Sequence, residues 1–343
     1  MAQYDVTKFG AKGNGTANDA PSIQKALDSA RDAGGGKVIV PGGTYNVGNI
    51  LKIYDNTSLD LDKNAWIRRQ SEANAMIING TNGQGGYLGN QNIEIVGGTW
   101  DANMGLNDVS CTAIAIGHAT NVRIRNTRVL NVNNWHSIEL NGVEGGEIIN
   151  CFFSGFTLTR KWSEAIQLDI MISAAAFPWF GPYDNSYCRN ILIEGCTFTG
   201  GWYRGIGSHS QAEDVYHAHI RIVNNHFENL IGAGIEAFRY RHGSIQGNTF
   251  TNVERGINFQ NTAYFAIGGN SIRNPEKDGI LLEDSKGNSI VGNVVRNAGC
   301  AGIYVDETSL GNNILGNSFT NCADGGIVDM GSKNTKSGNG IVV

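Results

Sequence analysis

The 343-residue sequence predicts an all-β fold: a single-stranded, right-handed parallel β-helix of about ten coils, three strands to a coil, with one α-helix capping its N-terminal end. Three observations predict it. Helical periodicity is confined to one stretch near the start. After about residue 50, short apolar strands alternate with Gly and Asn turns. One motif then recurs, with Asn225, Asn248, Asn270, Asn293 and Asn317 spaced 22–24 residues apart.

Composition narrows the class. Gly is 47 of 343 residues and Pro only 5, which favours many tight turns over a collagenous or disordered chain. The net charge of −5 argues against nucleic acid or an anionic membrane as partner. No apolar run reaches the ~18–20 residues of a membrane span, and no signal peptide precedes MAQYDV. The six Cys show no CxxC spacing. Buried free thiols are expected rather than disulfides, a zinc site or a redox pair.

In chain order, residues 1–48 form the cap. A short strand and a Gly/Asn turn lead to a helix over about 20–33. Asp19 is its expected N-cap, Pro21 suits the first turn, and Ile23, Ala26, Leu27 and Ala30 recur at helical spacing. The run Gly34–Gly36 stops it and Lys37–Pro41 is a strand. Residues 49–343 form the solenoid, and the unbroken repeat makes 1–343 one domain. Cys151 and Cys196 take the place of the Asn pivot in earlier coils, with Gly98 and Thr127 before them. The Asn pivots would stack about 4.8 Å apart as an inward amide ladder. An Ile column from Ile114 to Ile327 would fill the core.

The repeat is broken most sharply at one place, although coils 98–127 and 196–225 also exceed 24 residues. Cys151 and Cys196 lie 45 residues apart, about twice a coil, and the excess holds the aromatic insertion 170–187 with Phe177, Trp179 and Phe180. Long loops on a rigid scaffold are where function concentrates. Aromatic rings beside a polar face suit sugars. The same loop could instead pack down on the solenoid as a lid.

Strand alternation sets the outward face. One outward column reads Ala115, Glu139, Gln167, Gly207, Glu236, Asn258; the next reads Gly117, Asn141, Asp169, His209, Phe238, Gln260. The candidate catalytic residues are Asp169, Glu139, Glu236, His209 and Glu164. Glycosidic cleavage needs a carboxylic acid to protonate the leaving oxygen and a carboxylate as base or nucleophile. Carboxylates on neighbouring rungs repel, which splits their pKa values. Candidate substrate-binding residues are Gln167, Trp135, His136, Trp162, Trp179, Trp202, Tyr203, Arg204, Arg239, Arg241 and Asp101, the last in a long early loop. Glu164 could equally serve only as the ion-pair partner of Arg204 or Lys161. The late acids Glu283, Asp284, Asp306 and Glu307 suit a solvated face or a bound cation. No metal site or cofactor is otherwise called for.

The segment YDVTKFGAKGNGTANDAPSIQKALDSARDAGGGKVIVPGGTY (4–45) resembles the N-terminal cap of the pectate-lyase-like superfamily, which includes alginate C5-epimerases and phage tailspikes. Asp169, then His209 in GIGSHS, then Arg239 and Arg241 resemble the order of groups in the polygalacturonase family. That family's N-T-D, D-D, G-H-G and R-I-K motifs are absent, as is the epimerase D-P-H-E; HSIE (136–139) stands on the equivalent coil. The resemblance implies a carbohydrate-active β-helix, and fold analogy does not fix the reaction.

Three functions follow in order. The first is a polysaccharide-degrading glycoside hydrolase, extracellular or at the cell surface, where its oligo- or polysaccharide substrate would be. The second is a lyase or C5-epimerase on a uronic-acid polymer. The third is a non-catalytic carbohydrate-binding spike.

Overall fold

The structure, a computed structural model, describes residues 2–80, 83–157 and 163–342. Its strands pair in parallel and gather into three sheets of 13, 13 and 11 strands. The first runs from Gln3–Asp5 to Thr335–Ser337, the second from Asn14–Asn18 to Gly340–Val342, and the third from Leu51–Ile53 to Ile327–Asp329. The fold is the expected right-handed parallel β-helix. It has more rungs than the ten expected, because the cap also supplies paired strands: Gln3–Asp5 lies beside Gly36–Val40, and Asn14–Asn18 beside Gly43–Val47.

The cap helix spans Ala20–Asp32 and buries Ile23, Ala26, Leu27 and Ala30. Asp19 precedes it but does not cap it. Its backbone is already helical (φ −89°, ψ −6°), so the carboxylate cannot fold back on the first turn. It accepts instead from the amides of Lys12 (2.7 Å) and Gly13 (3.1 Å). Asn18 Oδ1 takes the Ala20 amide at 3.2 Å.

Stacked columns of like side chains hold the rungs in register. The inward Asn ladder forms as expected: the Nδ2 groups of Asn225, Asn248, Asn270 and Asn293 donate to the next Oδ1 at 2.9–3.0 Å, and Asn317 continues to Asn339 at 3.1 Å. The same Oδ1 atoms accept backbone amides, as Asn270 Oδ1 does from Asn248 N. The ladder thus satisfies turn backbone that burial would otherwise orphan. At its top, Asn225 Oδ1 accepts from Cys196 N at 2.9 Å. A second ladder, Asn288–Asn312–Asn334, runs parallel to it. Phe153, Phe198, Phe227 and Phe250 stack at 4.6–5.0 Å. Ile114, Ile138, Ile166, Ile206, Ile235 and Ile257 share one register in the third sheet. All six cysteines are free, four of them buried.

Candidate active site

The third sheet carries the polar face. Register pairs Ala115, Glu139, Gln167, Gly207, Glu236 and Asn258 in one column, and Gly117, Asn141 and Asp169 in the next. His209 follows the end of its strand, Arg204–Gly207, and its backbone amide lies 3.4 Å from Asp169 Oδ1. Ser210 N donates to the same oxygen at 3.0 Å. The column is outward by alternation but not exposed. Asp169 has no accessible surface, and Glu139 only 3%.

That burial sets the electrostatics. Glu139 accepts from Thr112 Oγ1 (3.0 Å) and Asn141 Nδ2 (2.8 Å). Burial, with the Asp169 charge beside it, pushes its carboxyl up to about 7 against those hydrogen bonds. Asp169 is also raised, by burial first and then by Glu164, while His209 and Ser210 pull it down. The Gln167 side-chain amide donates to Asp169 Oδ2.

Glu164 goes the other way. Burial alone would raise it, but His209, His136 and Arg204 hold it at about 2. Arg204 Nη1 lies 2.9 Å from Glu164 Oε1, His136 Nδ1 3.5 Å from Oε2, and His209 Nδ1 3.6 Å from Oε1. Gly207 makes room for this: a Cβ there would sit 3.1 Å from Glu164 Cγ. The same acids act on His209, whose burial would lower it; Glu164 and Asp169 lift it to about 9. Arg204 also reaches Glu236 Oε1 at 2.6 Å. Glu236 is raised by burial in spite of that cation. Glu164 thus pairs with Arg204, one of the two cations expected for it, and also with His136 and His209; Lys161, the other, lies outside the described residues.

Glu139, Gln167, Asp169, His136 and His209 form the floor of one pocket whose wall includes Trp135 and Trp179, while Glu164, Arg204 and Glu236 lie outside its lining. The two indoles meet edge to face at 5.8 Å. Phe177 and Phe180 are buried against Ala75, Ile78 and Ala115. The insertion thus both packs down as a wall and presents one indole to the pocket.

Several expected site residues lie elsewhere. Trp202 is fully buried in the core, stacked on Phe156 at 4.6 Å. Asp101 is not in a loop but in the strand Thr99–Asp101 of the second sheet. It is held there by Asn103 N, Asn131 Nδ2 and Arg68. Arg239 and Arg241 both lie over the Tyr216 ring, at 4.7 and 3.4 Å, and neither lines the pocket. Arg241 belongs to the first sheet, because the chain turns the corner at Arg239 (φ +59°). Tyr203 is half-buried beside Arg204 and outside the lining. Trp162 lies outside the described residues. Thr112, Asn141 and Ser210 were not expected to support the acids. Thr112 in particular lies two residues before Ile114, where the Ile column starts, so nothing in the repeat points to it. Among the described residues no group of three or more His, Cys, Asp or Glu gathers to hold a metal ion.

Comparison with known proteins gives the lineage. The family profile for the right handed beta helix region matches residues 102–239 and 186–341. The profile for rhamnogalacturonase A/epimerase, pectate lyase-like, matches residues 3–60. Plasmin and fibronectin-binding protein A of Streptococcus pneumoniae is 28% identical over 284 residues, 73% of this chain and 39% of that protein. The chain therefore spans about two fifths of that relative's length. The solved structure of PfbA, a surface adhesin of Streptococcus pneumoniae, superposes with a TM-score of 0.77 at 22% identity, covering 99% of this chain and 91% of that one. Mannuronan C5-epimerase AlgE4 of Azotobacter vinelandii is 52% identical over 44 residues, 13% of this chain and 8% of that protein. A hyperthermoactive exopolygalacturonase from Thermotoga maritima superposes with a TM-score of 0.75 at 14% identity, covering 98% and 92%. Long helical register, pivot ladder and cap all agree with the profile matches: the chain belongs to the right-handed β-helix family, and its N-terminal segment is pectate-lyase-like.

Proposed function

We propose that this chain is a polysaccharide-degrading glycoside hydrolase whose acid is Glu139 and whose partner carboxylate is Asp169. One observation carries the reading: two buried carboxyls on adjacent rungs, both raised, form the floor of a pocket walled by two indoles. Raised pKa values at a concave site mark candidate acid–base groups. Glu139, near 7, is protonated at mildly acidic pH and can give its proton to the leaving oxygen as the glycosidic C–O bond breaks. Water supplies the rest. Its oxygen and one proton end on the anomeric carbon, and its other proton passes through Asp169 to restore Glu139. Glu164 positions: it stays ionised and fixes His209 and Arg204. An extracellular or cell-surface setting follows from the substrate class and is supported by the likeness to PfbA, a surface adhesin.

Elimination or epimerisation fits less well. Both need a base for the C5 proton and a cation for the uronate carboxylate. His209 is held protonated to about 9, so it is no base at neutral pH. Arg204 is already shared by Glu164 and Glu236. The sugar at the cleavage point is therefore read as uncharged. A panel of galactan, arabinan, mixed-linkage glucan, polygalacturonate and alginate tests this, read for reducing ends and for ultraviolet absorbance. Reducing ends without absorbance support hydrolysis; absorbance means elimination, which creates an unsaturated sugar.

A second reading is supported by the pneumococcal relative, named for binding plasmin and fibronectin, which matches 73% of the chain. On that reading the chain is a surface adhesin whose partners include proteins. Binding to immobilised plasmin or fibronectin, with every polymer of the panel left intact, favours it.

A further inference from the structure

We propose that the site takes the end of a sugar chain and not its interior, so that cleavage is exo in mode; this rests on the hydrolase reading above. What flanks the acids along the solenoid axis decides how far a bound sugar chain can extend past them.

On the N-terminal side the way is shut. The rung next to Glu139 carries Ala115, and the one before it Ile78. Both are roofed by Phe177 and Phe180, leaving 0% and 7% exposed. In the neighbouring column Gly117 precedes Asn141. Phe180 fills the space its missing side chain leaves: a Cβ on Gly117 would sit 2.6 Å from Phe180 Cγ. The wall is fastened at several points. Trp179 Nε1 donates to Asn74 Oδ1 at 3.1 Å, and Gly83 N to Gly181 O at 2.9 Å. Gly86 N donates to Asp184 Oδ2 at 2.7 Å, and the His118 ring bridges Gly86 O and Pro182 O at 2.9 and 2.7 Å. A chain crossing the acids in this direction would have to displace a packed, hydrogen-bonded aromatic plug.

On the C-terminal side the same columns continue on short coils. Phe238, Gln260 and Glu283 follow one another in register and are half-buried, with Gln260 Nε2 bonded to Glu283 Oε2 at 2.8 Å. One ring and two polar groups at ~4.8 Å steps suit the apolar faces and hydroxyls of successive sugars. The terminal residue thus sits in the pocket under Trp135 and Trp179, and the rest of the chain lies over Phe238, Gln260 and Glu283.

The test follows product size on the panel polymers and on hexasaccharides of the same sugars labelled at the reducing end. One short product of fixed size from the first turnovers, with viscosity nearly constant as reducing ends accumulate, is expected. A ladder of intermediate sizes with an early fall in viscosity overturns the chain-end inference and leaves the hydrolase reading standing. No reducing ends from any polymer overturns both. Gly117→Val should lift Phe180 and raise viscosity loss per reducing end at least tenfold; Phe180→Ala, the milder change, should move it the same way. A folded variant pair that keeps the wild-type pattern overturns the role given to the wall.

Discussion

Glu164 Oε1 and His209 Nδ1 stand 3.6 Å apart on adjacent rungs, and each sets the protonation of the other. Because His209 rises from 6.5 to about 9 on folding, it contributes stability that is fully present below its unfolded value and is lost as pH rises through about 9. Glu164→Gln removes the largest source of that rise and leaves Arg204 with Glu236 alone among these carboxylates. Breaking a buried pair costs about 3–5 kcal/mol. The variant should melt well below the parent at pH 6; by pH 10 the part of the gap that comes from His209 should close, and the part that comes from the Arg204–Glu164 pair should remain. An unchanged His209 titration by NMR would contradict the pairing.

Glu139→Gln should separate chemistry from stability. The carboxyl rises from 4.5 to about 7 on folding. Its ionisation therefore destabilises the fold progressively as pH climbs from the unfolded value through about 7. The amide cannot ionise, so the variant should melt higher than the parent at pH 8 by about 3 kcal/mol in free energy. It should also lose at least 100-fold in turnover. Equal melting at pH 8 would mean Glu139 is not buried as described.

The rate should be bell-shaped in pH. The alkaline limb falls near 7 as Glu139 loses its proton. The acid limb reflects protonation of Asp169, at a pH above the ordinary carboxylate value of 3.8. The two titrate as a pair, so the limbs report the pair. A rate rising steadily to pH 9 would instead indicate a neutral base.

Asn270→Leu should damage the fold and spare the site. It strips acceptors from Asn248 N and Nδ2 and the donor from Ile245 O. Each orphaned buried group costs about 1–3 kcal/mol, so a loss of several kcal/mol is expected in denaturant unfolding. Pocket chemistry should persist wherever the variant is folded.

The repeat was legible because a solenoid writes its register in the sequence: Asn225 to Asn317 recur at coil spacing, and each hydrogen-bonds the next. The same register placed Glu139, Gln167 and Glu236 in one column. It failed where the chain leaves the strand. Arg239 adopts a left-handed backbone at the corner, carrying Arg241 to another sheet. Trp202 looked like a site aromatic because it flanks Arg204, yet it points to Phe156 in the core. Alternation also says outward, not exposed: Asp169 is held by the Gln167 side chain and by the amides of His209 and Ser210, which no strand pattern reveals.

Reducing-end release by Asp169→Asn beside the parent, with circular dichroism to confirm the fold, asks whether this carboxylate takes part in cleavage. Asn keeps an oxygen for Ser210 N, so the fold should hold. With Asp169 as the partner carboxylate of Glu139, a native spectrum and turnover at least 1,000-fold below the parent are expected. A folded Asp169→Asn with parental turnover would contradict that role.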